Sequence, residues 1–107
     1  MKIKRPKVTD STTTKVKTGC GNLYITITKH EGKLFEVFAK MGKGGSCVEA
    51  QLDAITMGIT IGIRNGVETK DYIQRYKGIR CGSVSLDDGE EYLSCADAIA
   101  KVMEKNV

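Results

Sequence analysis

The chain has no tryptophan, one proline and one histidine in 107 residues, and aromatic side chains make up only 6% of it. Its core must therefore be aliphatic. A domain of this length buries roughly two-thirds of its unfolded surface, so a metal site or a partner surface would add usefully to a thin interior. No apolar run approaches the roughly 20 residues that cross a bilayer, and no signal-peptide pattern opens the sequence. These absences predict a soluble, cytoplasmic protein with no membrane role. No Ser/His/Asp arrangement is visible, and no pair of carboxylates is spaced for acid–base work on one helix face. As an enzyme on its own, the chain looks poorly equipped.

Cysteine is what it does have. Four are present, in TGCGN (18–22), GGSCVEA (44–50), IRCGS (79–83) and LSCAD (93–97). Without an export signal they predict reduced thiols, and so metal or redox chemistry rather than a disulfide framework. None follows a short CxxC spacing, so any shared site must be assembled by the fold.

The net charge of +4 is uneven. Lys2, Lys4, Arg5, Lys7, Lys15 and Lys17 all fall within residues 1–17, against the single acid Asp10. Residues 1–17 are expected to form a basic N-terminal arm, mobile in its first part, ahead of a single domain at 18–107. Such an arm can neutralise nucleic-acid phosphates. No aromatic residue interleaves its lysines, however, and a solvated leader is the plainer reading. Lys43, in GKGG (42–45) ahead of a helix, is a candidate anion contact. The Gly-Lys-Ser/Thr ending of a nucleotide loop is missing.

Hydrophobic periodicity orders the rest. NLYITITK (22–29) and LFEVFAK (34–40) alternate as strands, with HEGK as the turn of a β-hairpin. Phe35, Val37 and Ala39 fall on one face of the second strand, with Leu34, Glu36 and Phe38 on the other. From Cys47 to about Arg64, Val48, Leu52, Ile55, Ile59 and Ile63 form one helical stripe. Ser46 is its expected N-cap and Asn65-Gly66 its stop. Ala54, Gly58 and Ile61 make a second strip through which self-association is conceivable. A short helix follows from Thr69 to Gly78. Residues 79–86 read as an extended strip and Asp88-Gly89 as a turn. A capping pair, Ser94 and Asp97, then starts a last helix with Ile99, Val102 and Met103 inward. The expected fold is α+β, in the order ββααβ(β)α.

On this plan Cys47 and Cys95 each open a helix directly after a capping serine, where free N–H groups and the helix dipole favour a thiolate. Cys20 and Cys81 each precede a glycine, which lets the backbone turn N–H groups toward sulfur. Four such sulfurs would suit a closed, non-catalytic zinc tetrahedron, contributing about 10–16 kcal/mol of apparent folding free energy. An iron–sulfur cluster, disulfides, and buried thiols with no metal at all are the alternatives. His30, in the hairpin turn, and DDGEE (87–91) read as solvated turns rather than ligands.

The motifs TGCGNLYITIT, GKLFEVFAKMGKGGSC, YKGIRCG and LSCADAIAKVME, taken in order, resemble the TSCPD domain over about residues 5–104. That domain is best known as the C-terminal module of class II, adenosylcobalamin (vitamin B12)-dependent ribonucleotide reductases, and it also occurs as short free-standing proteins. The resemblance implies metal binding through Cys20, Cys47, Cys81 and Cys95, which match the family's own cysteines. Ala96 stands where the naming motif has proline, and Gly82 where relatives usually carry proline. The reductase barrel, the radical-carrying cysteine, the cobalamin site and the thioredoxin-exchanging pair have no counterpart here. The implied role is a non-catalytic, zinc-binding accessory module in nucleotide metabolism and DNA synthesis. Its partner would be a ribonucleotide reductase, another nucleotide-metabolism protein, a nucleotide or nucleic acid. The alternative is a thiol redox partner of a reductase, exchanging electrons through the helix-capped thiols of Cys47 and Cys95.

Overall fold

A computed structural model of the chain describes residues 6–42 and 47–107. The β-branched, alternating stretches make an antiparallel sheet of β1 (Asp10–Thr18), β2 (Gly21–His30) and β3 (Lys33–Met41), in the order β1-β2-β3. The expected hairpin is β2–β3. Its two-residue turn places Glu31 (φ 53°) and Gly32 (φ 76°) in the left-handed region, the conformation that matches strand twist in a tight hairpin.

Two features depart from the sequence reading. Residues 10–17 of the basic arm, with Thr18, form β1 and pair with β2 along their whole length. Threonine favours a pleated strand, and Thr13 and Thr26 share a hydroxyl contact of 2.9 Å across the pair. In β3 the alternation breaks. Thr28 pairs with Glu36 but Lys29 pairs with Leu34, so Phe35 is the extra residue of a bulge. Leu34 and Phe35 are consequently both buried.

Helix α1 (Cys47–Arg64) buries Leu52, Ile59 and Ile63 as the stripe requires. Thr56 and Thr60 complete that face, while Val48 is exposed. The Thr60 hydroxyl accepts from the Val37 N–H (3.0 Å) and donates to the Val37 carbonyl (3.1 Å), closing the outer edge of β3. The helix ends in a Schellman turn: Gly66 N–H bonds Ile63 O, Val67 N–H bonds Gly62 O, and Gly66 has φ 101°. Ser46, the expected N-cap, lies outside the described residues. Ala54, Gly58 and Ile61 are exposed.

Helix α2 (Thr69–Tyr76) buries Ile73. The expected extended strip at 79–86 becomes a strand only at β4 (Ser85–Asp87), which pairs with β5 (Glu90–Tyr92) through Asp88-Gly89, a second left-handed turn pair. Helix α3 (Cys95–Lys105) turns Ile99, Val102 and Met103 inward against the Val16, Leu23, Ile25, Ile27 and Val37 face of the sheet. The architecture is α+β, in the order βββααββα. Among the described residues no helix is long and apolar enough to cross a membrane.

Candidate functional site

Cys20 and Cys81 lie in turns that pack on one another, beside Cys95. In the β1–β2 turn, Thr18 Oγ1 donates to Gly21 O (2.8 Å) and accepts from the Cys20 N–H (3.3 Å). The neighbouring Gly19 presses onto the Cys81 turn. A Cβ at Gly19 would stand 2.1 Å from the Ser83 carbonyl oxygen, so only glycine permits the approach. Within that second turn the Ser83 N–H points at Cys81 Sγ (3.4 Å), and the thiol faces Ser83 O (3.5 Å). The backbone therefore folds back onto this sulfur, as the glycine after it predicts. The Cys81 N–H is held by Leu93 O at 2.9 Å.

Cys95 opens α3, and its sulfur lies 4.0 Å from Thr18 Oγ1. One hydroxyl thus touches both the Cys20 turn and the Cys95 thiol. Burial pushes the Cys95 thiol above its ordinary pKa; the Thr18 contact opposes this, while nearby Cys20 and Cys81 add to it.

Asp97 ties the frame together. Its buried carboxylate accepts from the N–H groups of Gly78 (2.8 Å) and Leu93 (2.9 Å) and pairs with Lys101 Nζ (2.8 Å). Burial raises its pKa, but the Leu93 N–H, Lys101 and the Gly78 N–H together hold the carboxyl below its ordinary value. Ser94 caps α3 by accepting from the Asp97 N–H (3.0 Å) and donates to Ile79 O (2.6 Å). The expected capping pair is thus half realised, since the Asp97 carboxylate reaches the Leu93 N–H and serves as a tether. Neither this tether nor Thr18 was anticipated as part of the site. Both act on partners distant in sequence, and no local pattern announces them.

Cys47 is exposed and opens α1. Its placement follows from α1. Thr60 lies at Val37, and Arg64 lies 3.9 Å from Glu36 and over the Phe35 ring, so the helix runs antiparallel to β3. Rising about 1.5 Å per residue, α1 starts near the end of β3. There Gly42 N–H bonds Asn22 O (2.8 Å), close to Cys20. All four cysteines therefore belong to one end of the sheet, Cys20 and Cys81 in packed turns and Cys47 and Cys95 at helix starts. Among the described residues, no three His, Cys, Asp or Glu side chains are arranged to hold a metal ion.

The remaining candidates separate from this end. His30 sits at the opposite end of β2, against Phe35 (5.3 Å between ring centroids). The DDGEE segment forms the β4–β5 hairpin. Its Glu90 pairs with Lys105, whose hydrogen bond lowers the carboxyl pKa. Lys7, Lys15 and Lys17 are exposed, the last two on β1. Lys2, Lys4, Arg5 and Lys43 lie outside the described residues.

Known proteins bear on this arrangement. A family model described as the TSCPD domain matches residues 1–107. The vitamin B12-dependent ribonucleotide reductase of Streptantibioticus cattleyicolor is 30% identical over 84 residues, which cover 78% of this chain and 14% of that protein. The enzymes of the same name from Streptomyces clavuligerus and Streptomyces coelicolor are each 29% identical over 84 residues, covering 9% of their lengths. The chain thus corresponds to a small fraction of each of these reductases. No solved structure matches it.

Proposed function

The chain belongs to the TSCPD domain family, and from that premise we propose that it is a non-catalytic, metal-binding accessory module of ribonucleotide reduction. Cys20, Cys47, Cys81 and Cys95 are the ligands, zinc is the ion, and the partner is a ribonucleotide reductase or another protein of nucleotide metabolism. The observation that carries this reading is the packing of the Cys20 and Cys81 turns against each other and, through Thr18, against Cys95. Cys20 and Cys81 add to the cost of ionising the half-buried Cys95 thiol, and packing alone gives no reason to bring them beside it. A bound zinc would supply the positive charge that offsets this cost and would leave no open position for catalysis. The chain's own part is positional. Gly19 admits the close approach, Ser83 offers its N–H to Cys81, and Asp97 fixes the start of α3. Closure requires the Cys20 and Cys81 side chains to rotate and Cys47 to swing toward them, for which their exposure leaves room.

The same exposure supports a second reading, a thiol redox partner. In it Cys20 and Cys81 lose two electrons and two protons to a reductase disulfide and become a disulfide themselves.

Elemental analysis of protein purified without chelator, with a native thiol count, separates the two. The metal reading expects one zinc per chain, slow thiols, and loss of zinc and of thermal stability in Cys47→Ser. Metal-free protein whose four thiols all react at once would sink it.

A further inference from the structure

We infer that the outer face of the β1-β2-β3 sheet is a stacking platform for single-stranded nucleic acid. The pairing register builds it. Tyr24 on β2 lies between Lys15 on β1 and Lys40 on β3, and in the next row Thr26 lies between Thr13 and Phe38. Lys17 extends the same face beside Asn22. Both aromatic rings are open to solvent, Tyr24 at 37% and Phe38 at 47%. A cleft of about 180 Å³ lies between them, lined by Tyr24, Thr26, Phe38, Ala39 and Lys40. Gly42 leaves room for the Tyr24 ring, since a Cβ there would stand 3.3 Å from Tyr24 Cε2.

Two rings with a cleft between them suit planar bases, which stack on aromatic side chains whatever their sequence. The charges choose the occupant. Lys15, Lys17 and Lys40 are exposed around the rings. Within β1, β2 and β3 the one acid on this face is Glu36, which is buried and paired with Arg64 at 3.9 Å, while Asp87 of β4 is taken up by the Lys17 N–H at the sheet margin. A second copy docked symmetrically through this face would set these lysines against their own counterparts, whereas a phosphate backbone neutralises them. Lysines on β1 and aromatic residues on β2 and β3 are far apart in sequence, so the expectation that nothing stacks beside the lysines holds along the chain and fails across the sheet.

The platform does not depend on metal at the thiols. Fluorescence anisotropy of the full chain with labelled oligothymidylate and oligouridylate tests it, with zinc content measured on the same samples. Saturable binding is expected to at least one oligomer. The slope of log affinity against log salt should be about −2 for three lysines. Tyr24→Ala and Phe38→Ala should each weaken binding about ten-fold or more with unchanged circular dichroism and zinc content. Tyr24→Phe should preserve binding, and Lys15→Glu combined with Lys40→Glu should flatten the salt dependence. No binding to either oligomer overturns the inference. So does binding that both ring truncations leave intact, or a dimer that Phe38→Ala dissociates without changing oligomer affinity. Metal-free protein that still binds through the rings counts against the thiol reading alone.

Discussion

The hydroxyl of Thr18 and the sulfur of Cys95 lie 4.0 Å apart although 77 positions separate them in the chain. The same hydroxyl closes the β1–β2 turn by bonding Gly21 O and the Cys20 N–H. Thr18 is buried. Replacing it with valine keeps the shape but strands both backbone partners. Thr18→Val is expected to lose about 1–3 kcal/mol, measured by urea unfolding.

Gly19 and Gly82 make a controlled pair. Both adjoin a cysteine of the cluster, yet a Cβ at Gly19 meets the Ser83 carbonyl at 2.1 Å while one at Gly82 meets nothing within 4 Å. The Gly19 neighbour is backbone and cannot step aside cheaply. Gly19→Ala should cost about 1–3 kcal/mol and speed alkylation of Cys81 as the two turns part. Gly82→Ala should stay within about 0.5 kcal/mol of the parent. Equal melting temperatures for the two variants would contradict the packing described.

Asp97→Asn replaces one acceptor oxygen with a donor in front of backbone N–H groups and leaves Lys101 without its counter-ion. A loss of about 3 kcal/mol at neutral pH is expected. The pH dependence has a definite sign. The folded carboxyl titrates below its ordinary value, so its contribution is complete above the unfolded pKa of about 3.9. It fades as pH falls through the lower, folded value. The stability gap between parent and Asp97→Asn should therefore be constant above about pH 5 and narrow in acid, as followed by denaturant melts at stepped pH.

Thr60→Val removes the hydroxyl that serves both polar groups of Val37. Those groups are buried, so a loss of about 2 kcal/mol is expected, with faster hydrogen exchange at the Val37 amide. Thr56→Val is the comparison. Its hydroxyl donates to Leu52 O within its own helix, and its removal should cost less and leave Val37 protected.

Sequence pattern located what local periodicity controls. Ile25, Ile27 and Val37 read as strand interior, Ile59 and Ile63 as the buried stripe of α1, and Ser94 as a cap. It misplaced what depends on pairing. Residues 10–18 carry one strongly buried apolar side chain, Val16, and join the sheet mainly because the edge of β2 accepts them. Leu34 could not be assigned inward without knowledge of the bulge at Phe35. The cysteines share a local setting, each with a glycine or a serine directly beside it. That the Cys20 and Cys81 turns meet beside Cys95 is a property of chain return over dozens of residues. The aromatic and lysine rows on the far face have the same origin.

The treatment of the sheet borders has a further consequence. On one side Thr60 occupies both polar groups of Val37; on the other, Asp87 accepts from the Lys17 N–H (2.9 Å) and Ser85 donates to its carbonyl (2.7 Å). Side chains, not additional strands, terminate the hydrogen-bond ladder at both margins. The outer border of β1 from Asp10 to Lys15 is polar and ends in a lysine, a composition that discourages edge-to-edge polymerisation. A fold this small can therefore be carried at high local concentration, or fused to something larger, without inviting its neighbours to add strands.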